Sequence, residues 1–410
     1  MKRFSFLLFS FSLFSFSFSF SQKEYKEYWN NDTISTKGYK SNEGIRVGIW
    51  QWFYRNGKME MSGSYNDKGK KIGQWLYYYD NGQLKKEECL SDNGTTKAFY
   101  NNGQIFYSFN IVNSKKEGDY KEYHKDGKLK MQGYYKDDEL SGEVCWWYEN
   151  GFKEMEGCLN KGKREGEWKY YYRENGALGS KGKYIDDKET GKWIYFYPSN
   201  NKWREGDYEN GNREGKWTTF YESGKVLHSG NFENNLEEGV WESYYEDGRK
   251  KDSGAFIQGK MNATWKAWYE NGILKTEVSY KNGLKQGEEK LFDEKGQLYV
   301  RAFYKEGRFH GKYEKFSDSN ILLESSNYYN GEKDGKCKFF YLQGSLLREQ
   351  SFKKGVPDGK WVEYFENGEK SASGAFSNGE QSGTWINYDR KTGKPLLKAK
   401  YRNGKKVQPK

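Results

Sequence analysis

Residues 215–238 read GKWTTFYESGKVLHSGNFENNLEE. Stepping out from Gly215, comparable positions fall at Gly48, Gly73, Gly94, Gly118, Gly142, Gly166, Gly191, Gly239, Ala263, Gly287, Gly311, Gly335, Gly359 and Gly383. The step is 24 residues nearly everywhere, 25 twice and 21 once, between Gly73 and Gly94. A fixed period of this length marks a repeat array, so the chain reads as fifteen similar units. Each follows G-x-W-x-x-φ-Y-x-x-G-x-φ-x-x-x-G-x-Y-x-x-G-x-x-x, where φ is apolar or aromatic. The fifth residue after the first Gly is aromatic in every unit, from Phe53 and Tyr78 to Tyr364 and Tyr388.

The pattern predicts one β-hairpin per unit. The first strand carries the Trp and the aromatic pair. A turn follows at Asn56-Gly57, Asn81-Gly82, Asn150-Gly151, Asp247-Gly248 or Asn271-Gly272, dipeptides that accept the positive φ of tight hairpins. The second strand holds the next Gly and aromatic, as in Gly230-Asn231-Phe232, and a second Gly turn leads onward. Stacked hairpins bury a shared aromatic row that a lone hairpin lacks. The expected fold is all-β, an elongated twisted ribbon of about fifteen stacked hairpins at about 10 Å per unit. Alternation along a strand puts the plus-two Trp and plus-six Tyr on one face and the plus-five aromatic on the other. One row is expected to pack and the other to stay partly exposed. Trp168, Trp193, Trp217, Trp241 and Trp265, with Tyr172, Tyr197, Tyr221, Tyr245 and Tyr269, are the candidate binding surface.

Composition agrees. Of 410 residues only 34% are hydrophobic, yet 19% are aromatic and 48 are Gly. That is too few aliphatics for a large α/β core and too many aromatics for disorder. The formal net charge of +11 is modest for the length, with acids interspersed, which disfavours nucleic acid as a partner. Met1-Lys2-Arg3 followed by a Phe/Leu/Ser stretch to Phe20 reads as a signal peptide cut near Ser21–Gln22, a short membrane anchor being the alternative. The expected organisation is a leader over 1–21, a degenerate repeat or cap over 22–47, the array over 48–404 and a basic tail over 405–410. The expected location is outside the cytoplasm, in the periplasm, at the outer membrane or extracellular.

This pattern resembles the MORN repeat (membrane occupation and recognition nexus). It is most similar to variant MORN repeats of bacterial proteins labelled as antitoxin components. The resemblance runs over about residues 48–404. It implies a hairpin ribbon that binds proteins or acts at membranes, with no catalytic residues to carry over. The antitoxin label implies inhibition of a partner.

Conventional catalytic patterns are missing. His124, His228 and His310 lie in separate units, roughly 40 Å or more apart by strand spacing. His124 takes the place of the plus-six Tyr. Cys89, Cys145, Cys158 and Cys337 form no C-x-x-C pair, so no zinc site is expected. Cys145 and Cys158 share a unit but stand two residues out of register, so packing thiols are expected over a disulfide. Strings such as Gly211-Asn212-Arg213-Glu214-Gly215 recur between strands and open no helix, unlike phosphate loops. The units at Gly94, Gly287, Gly311 and Gly335 break the pattern with Thr96, Glu289, Asp293, Ser317 and Cys337. They read as weaker joints or as surfaces altered for a partner. The reading is a monomeric, non-enzymatic binding scaffold without cofactor or metal. Its partner is expected to be a protein; a glycan on the aromatic rows, a membrane surface or a toxin are the alternatives.

Overall fold

The computed structural model describes residues 22–30 and 32–407. The proposed leader lies outside them. The chain is all-β: thirty-five strands and no helix among the described residues. It divides into two compact units, one ending at Gly176 and one beginning at Ala177. Within each, strands that follow one another in sequence pair antiparallel. The expected hairpin repeats are therefore present in both. In the second unit Lys188–Phe196 pairs with Lys202–Glu209, that with Asn212–Phe220, and that with Val226–Glu233. The stretch 22–47 contributes the strands Lys23–Tyr28 and Ile34–Lys40, and Lys405–Val407 pairs with Pro395–Arg402.

The two turns of a repeat differ in a way the dipeptides do not reveal. The second turn is the tight one. Asn210 and Gly211, both at positive φ, join Glu209 directly to Asn212, as a two-residue hairpin with twist-matched strands requires. The first turn is longer, spanning residues 54–58 between the paired Phe53 and Met59. There only Gly57 takes positive φ. Asn56 acts as a strut instead. Its Oδ1 accepts the Lys58 N–H at 3.0 Å, and its Nδ2 donates to the Asp80 carbonyl of the next repeat at 2.8 Å. Asn150 and Asn271 do the same toward the carbonyls of Arg173 and Glu294.

The core is a file of alternating Trp and Gly. Opposite Gly206 the strand Asn212–Phe220 bulges, so that pairing jumps from Asp207–Glu214 to Glu205–Thr218. Trp217 folds over the gap. A Cβ on Gly206 would stand 2.2 Å from its indole, so no other residue fits beneath the ring. The Trp217 Nε1–H donates to the Asp207 carbonyl at 3.1 Å. Eight Gly–Trp seats share this contact, from Gly38–Trp50 to Gly374–Trp385. The indole N–H bond recurs at Trp50, Trp168, Trp193, Trp241, Trp265 and Trp385. The second-strand aromatics meet the indoles edge-on. Tyr208, Trp217, Phe232, Trp241, Phe256 and Trp265 form a continuous T-shaped row with centroids 5.0–6.2 Å apart. Trp50 and Trp75 are fully buried, and Trp217 is 4% exposed. Each such ring takes on the order of 200 Å² from water, worth about 5 kcal/mol at 25 cal/mol per Å².

Where Trp is absent the seat changes with it in several repeats, although Gly133 remains opposite Val144. Tyr120 faces Phe109, Glu289 faces Val278 and Tyr313 faces Ala302. Volume is thus traded between the two positions. Gly206→Ala is expected to destabilise the second unit by about 1–3 kcal/mol or more through overpacking. Adding Trp217→Tyr, which copies the Ala302–Tyr313 pair, is expected to recover part of the loss. Hydrogen exchange of Lys202–Glu209 and its neighbours measures both, and an unchanged single variant contradicts the seat.

Candidate binding surface

The ten aromatic residues singled out from the sequence are mostly consumed by the fold. Trp168, Trp193 and Trp217 are buried in their Gly seats, and Trp241 and Trp265 are half-buried in theirs. These indoles are core, which corrects their assignment as a binding face: the bulge that admits the ring also covers it. The plus-six tyrosines sit just past the strand end, where they open the first turn; Tyr221 N–H bonds the Lys225 carbonyl. Their hydroxyls reach one repeat onward. Tyr197, Tyr221, Tyr245 and Tyr269 donate to the carbonyls of Phe220, Tyr244, Trp268 and Phe292 at 2.7–2.9 Å. Tyr172 is half-buried. The hydroxyl ladder recurs at Tyr54, Tyr100 and Tyr148. His124 keeps it in the Tyr slot, its Nε2–H donating to the Trp147 carbonyl at 2.8 Å. Each such bond contributes about 1 kcal/mol.

The irregular repeats alter the core more than the surface. Glu289 stands at the Trp position, buried, with the Lys285 ammonium at 2.5 Å. Cys337 and Thr96, also at Trp positions, are buried. Asp293 and Ser317 replace the ladder tyrosine and close their turns by accepting backbone N–H groups. The four cysteines are free thiols. Cys145 faces Glu156 and Cys158 faces Glu143, and burial pushes the Cys145 thiol up to about 11. His228 is half-buried, and burial lowers its pKa.

The face opposite the indoles carries the plus-five aromatics, such as Tyr171 and Tyr244, and beside them a second straight file of mostly polar residues. In the second unit each residue directly opposes the next across successive strands: Glu205, Thr218, Ser229, Glu242, Ser253, Lys266, Glu277, Lys290, Arg301 and Glu314. The spacing is about 4.8 Å per strand. Charges along it interlock. Glu205 holds Lys192 and Lys202, Glu277 holds Lys266, and Glu288 lies between Lys290 and Arg301 at 3.0 and 3.3 Å. In the first unit the same file runs Lys97, Ser108, Lys121, Gln132, Cys145, Glu156 and Lys169. A groove of about 570 Å³ opens over its Gln132–Lys169 end. These residues vary from repeat to repeat, so no residue pattern marks them; their signal in the sequence is a fixed position between constant aromatics. Among the described residues no three His, Cys, Asp or Glu side chains group to hold a metal ion.

Residues 46–67, 71–92, 116–137, 189–210, 213–234, 261–282, 285–306 and 333–354 match the MORN repeat variant. The chain is a MORN-repeat protein. No curated protein matches it. Among solved structures it is similar to "Crystal Structure of TcdB2-TccC3-Cdc42", at 10% identity over 94% of this chain and 26% of that one, with a TM-score of 0.17. It is also similar to "Crystal Structure of TcdB2-TccC3", at 11% identity over 93% and 23%, with a TM-score of 0.15. The chain spans about a quarter of the length of these structures, and no functional reading follows from matches at such scores.

Carboxylates of the polar file, Glu156 and Glu242 among them, set its pH response. Lys153 and the Tyr171 hydroxyl, each at 2.5 Å, hold the Glu156 carboxyl below its ordinary range. Lys250 and Tyr244, each at 2.7 Å, do so for Glu242. A lowered folded-state pKa adds stability above the unfolded value of about 4.3, and that stability is lost as pH falls through the folded value. The urea midpoint is therefore expected to be flat above about pH 5 and to fall on acidification below about 4.3. In Glu156→Gln/Glu242→Gln the drop is expected to be smaller. A midpoint that rises on acidification contradicts this.

Proposed function

We propose that this MORN-repeat chain is an exported, non-catalytic scaffold that binds a protein partner in the cell envelope through its polar file. The observation that carries this reading is a division of labour between the two faces. Aromatic side chains are spent on seats and hydroxyl ladders inside the sheet. The opposite face presents charged and hydroxyl groups at a regular spacing beside the plus-five aromatics, and these polar positions vary between repeats. Many similar contacts on such a face sum to useful affinity although each is weak. Export rests on the basic and Phe/Ser-rich leader. The alternative of a sugar platform on the aromatic rows has less support, because Trp168, Trp193 and Trp217 are buried. Inhibition of a toxin-like partner stays within the same mechanism, as recognition confined to one local patch.

The test is capture of partners from the host's envelope fraction by the full tagged chain. One protein recovered in near-equal amount, and lost from Lys266→Glu/Lys290→Glu, is the expected result. Retention on host polysaccharide with no enriched protein overturns the reading. The N-terminus of the exported chain is expected at Gln22, and an intact Met1 in a cytoplasmic pool contradicts export.

A further inference from the structure

The strand Lys23–Tyr28 pairs along one side with Ile34–Lys40. Along its other side no strand is paired among the described residues. An open strand edge is a template for another chain unless its side chains forbid it. Here they do the opposite. The strand reads Lys23, Glu24, Tyr25, Lys26, Glu27, Tyr28. Set antiparallel against a second copy about Tyr25, Lys23 opposes Glu27 and Glu24 opposes Lys26, each twice by symmetry, and Tyr25 opposes Tyr25. All charged pairs are then of opposite sign. Shifting the sum of paired numbers by one puts Glu24 against Glu27 or Lys23 against Lys26, so the charges select the register.

The surroundings agree with this pairing. Lys23, Tyr25 and Glu27 share the face on which the Tyr25 ring lies 5.5 Å from Trp50, so Tyr25 against Tyr25 would extend the buried ring row of each copy. Glu24 and Lys26 are exposed and held only to each other, at 2.7 Å, which leaves both able to exchange partners. The edge at the other end of the described residues is built differently. Pro395–Arg402 and Lys405–Val407 begin with a proline and carry Lys398, Lys400, Arg402, Lys405 and Lys406, so two copies of it repel. Neutral and self-complementary at one end, like-charged at the other, the two edges differ in what they permit.

We propose that the chain forms an isologous dimer by antiparallel pairing of Lys23–Tyr28 with the same strand of a second copy. This departs from the monomer expected from the sequence, and it does not depend on the partner-binding reading above. One six-residue strand gives an interface at the small end of the range, so the dimer is weak and salt-sensitive. Because a two-fold interface uses up its own edge, growth stops at two.

Sedimentation velocity of the full chain, produced with its own leader, tests this at concentrations up to about 100 μM, where dimers of micromolar affinity form. The expected result is a rise from monomer to dimer mass with concentration, weakened at least tenfold in Kd between low salt and 1 M. Glu24→Lys/Glu27→Lys and Lys23→Glu/Lys26→Glu are each expected to stay monomeric. Their equimolar mixture is expected to dimerise again, which a folding defect in either variant would not allow. A wild-type chain that stays monomeric, variants that dimerise as wild type does, a mixture that fails to associate, or growth beyond two copies overturns the proposal.

Discussion

Everything else in this chain depends on an indole ring lying flat on a glycine. The bulge at each repeat takes three residues of one strand past one residue of its neighbour, which opens a gap in the ladder. In eight repeats the last of those three residues is a Trp that folds over the gap, and only a glycine leaves room for it there. The ring is also tied to the neighbouring strand, since its N–H bonds the carbonyl beside the glycine. A single contact thereby sets strand register, buries the largest side chain and satisfies a backbone group.

The constraint passes along the sheet because each seat joins one hairpin to the next. Tyrosine hydroxyls and turn asparagines add two further ladders, both reaching to the following repeat. Most of the aromatic content therefore serves cohesion between repeats. A small-core, glycine-rich chain becomes stable this way, since each repeat borrows its apolar cover from its neighbours. It also frees the polar file of the opposite face, whose residues bond each other and the plus-five tyrosines. Two of the repeats that lose Trp change both members of the seat, to Val278–Glu289 and Ala302–Tyr313. The irregular repeats are thus internal adjustments, and the surfaces above them keep the same polar file.

Much of the fold was legible in the residues. The 24-residue period, the constant plus-five aromatic and the Gly-marked turns settle an all-β hairpin array, because periodicity reports local structure directly. His124 in the Tyr slot was legible too, and it makes the tyrosine's bond. The candidate site was not. An exposed aromatic platform and a packed aromatic row have the same pattern along one strand. What separates them is a contact between residues eleven or twelve apart on different strands, and that contact exists only once the bulge has formed. Turn chemistry failed for a similar reason: Asn-Gly serves as a tight turn at Asn210-Gly211 but as a cross-repeat strut at Asn56-Gly57, and only the neighbouring carbonyl distinguishes them.

By itself the sequence determined the repeat, its hairpins and the MORN character, since these follow from residue type and spacing. The tertiary structure decided which aromatics are core, which glycines are seats, and which polar residues line up into a continuous file. Those outcomes depend on register between strands, a property that no single strand's pattern contains.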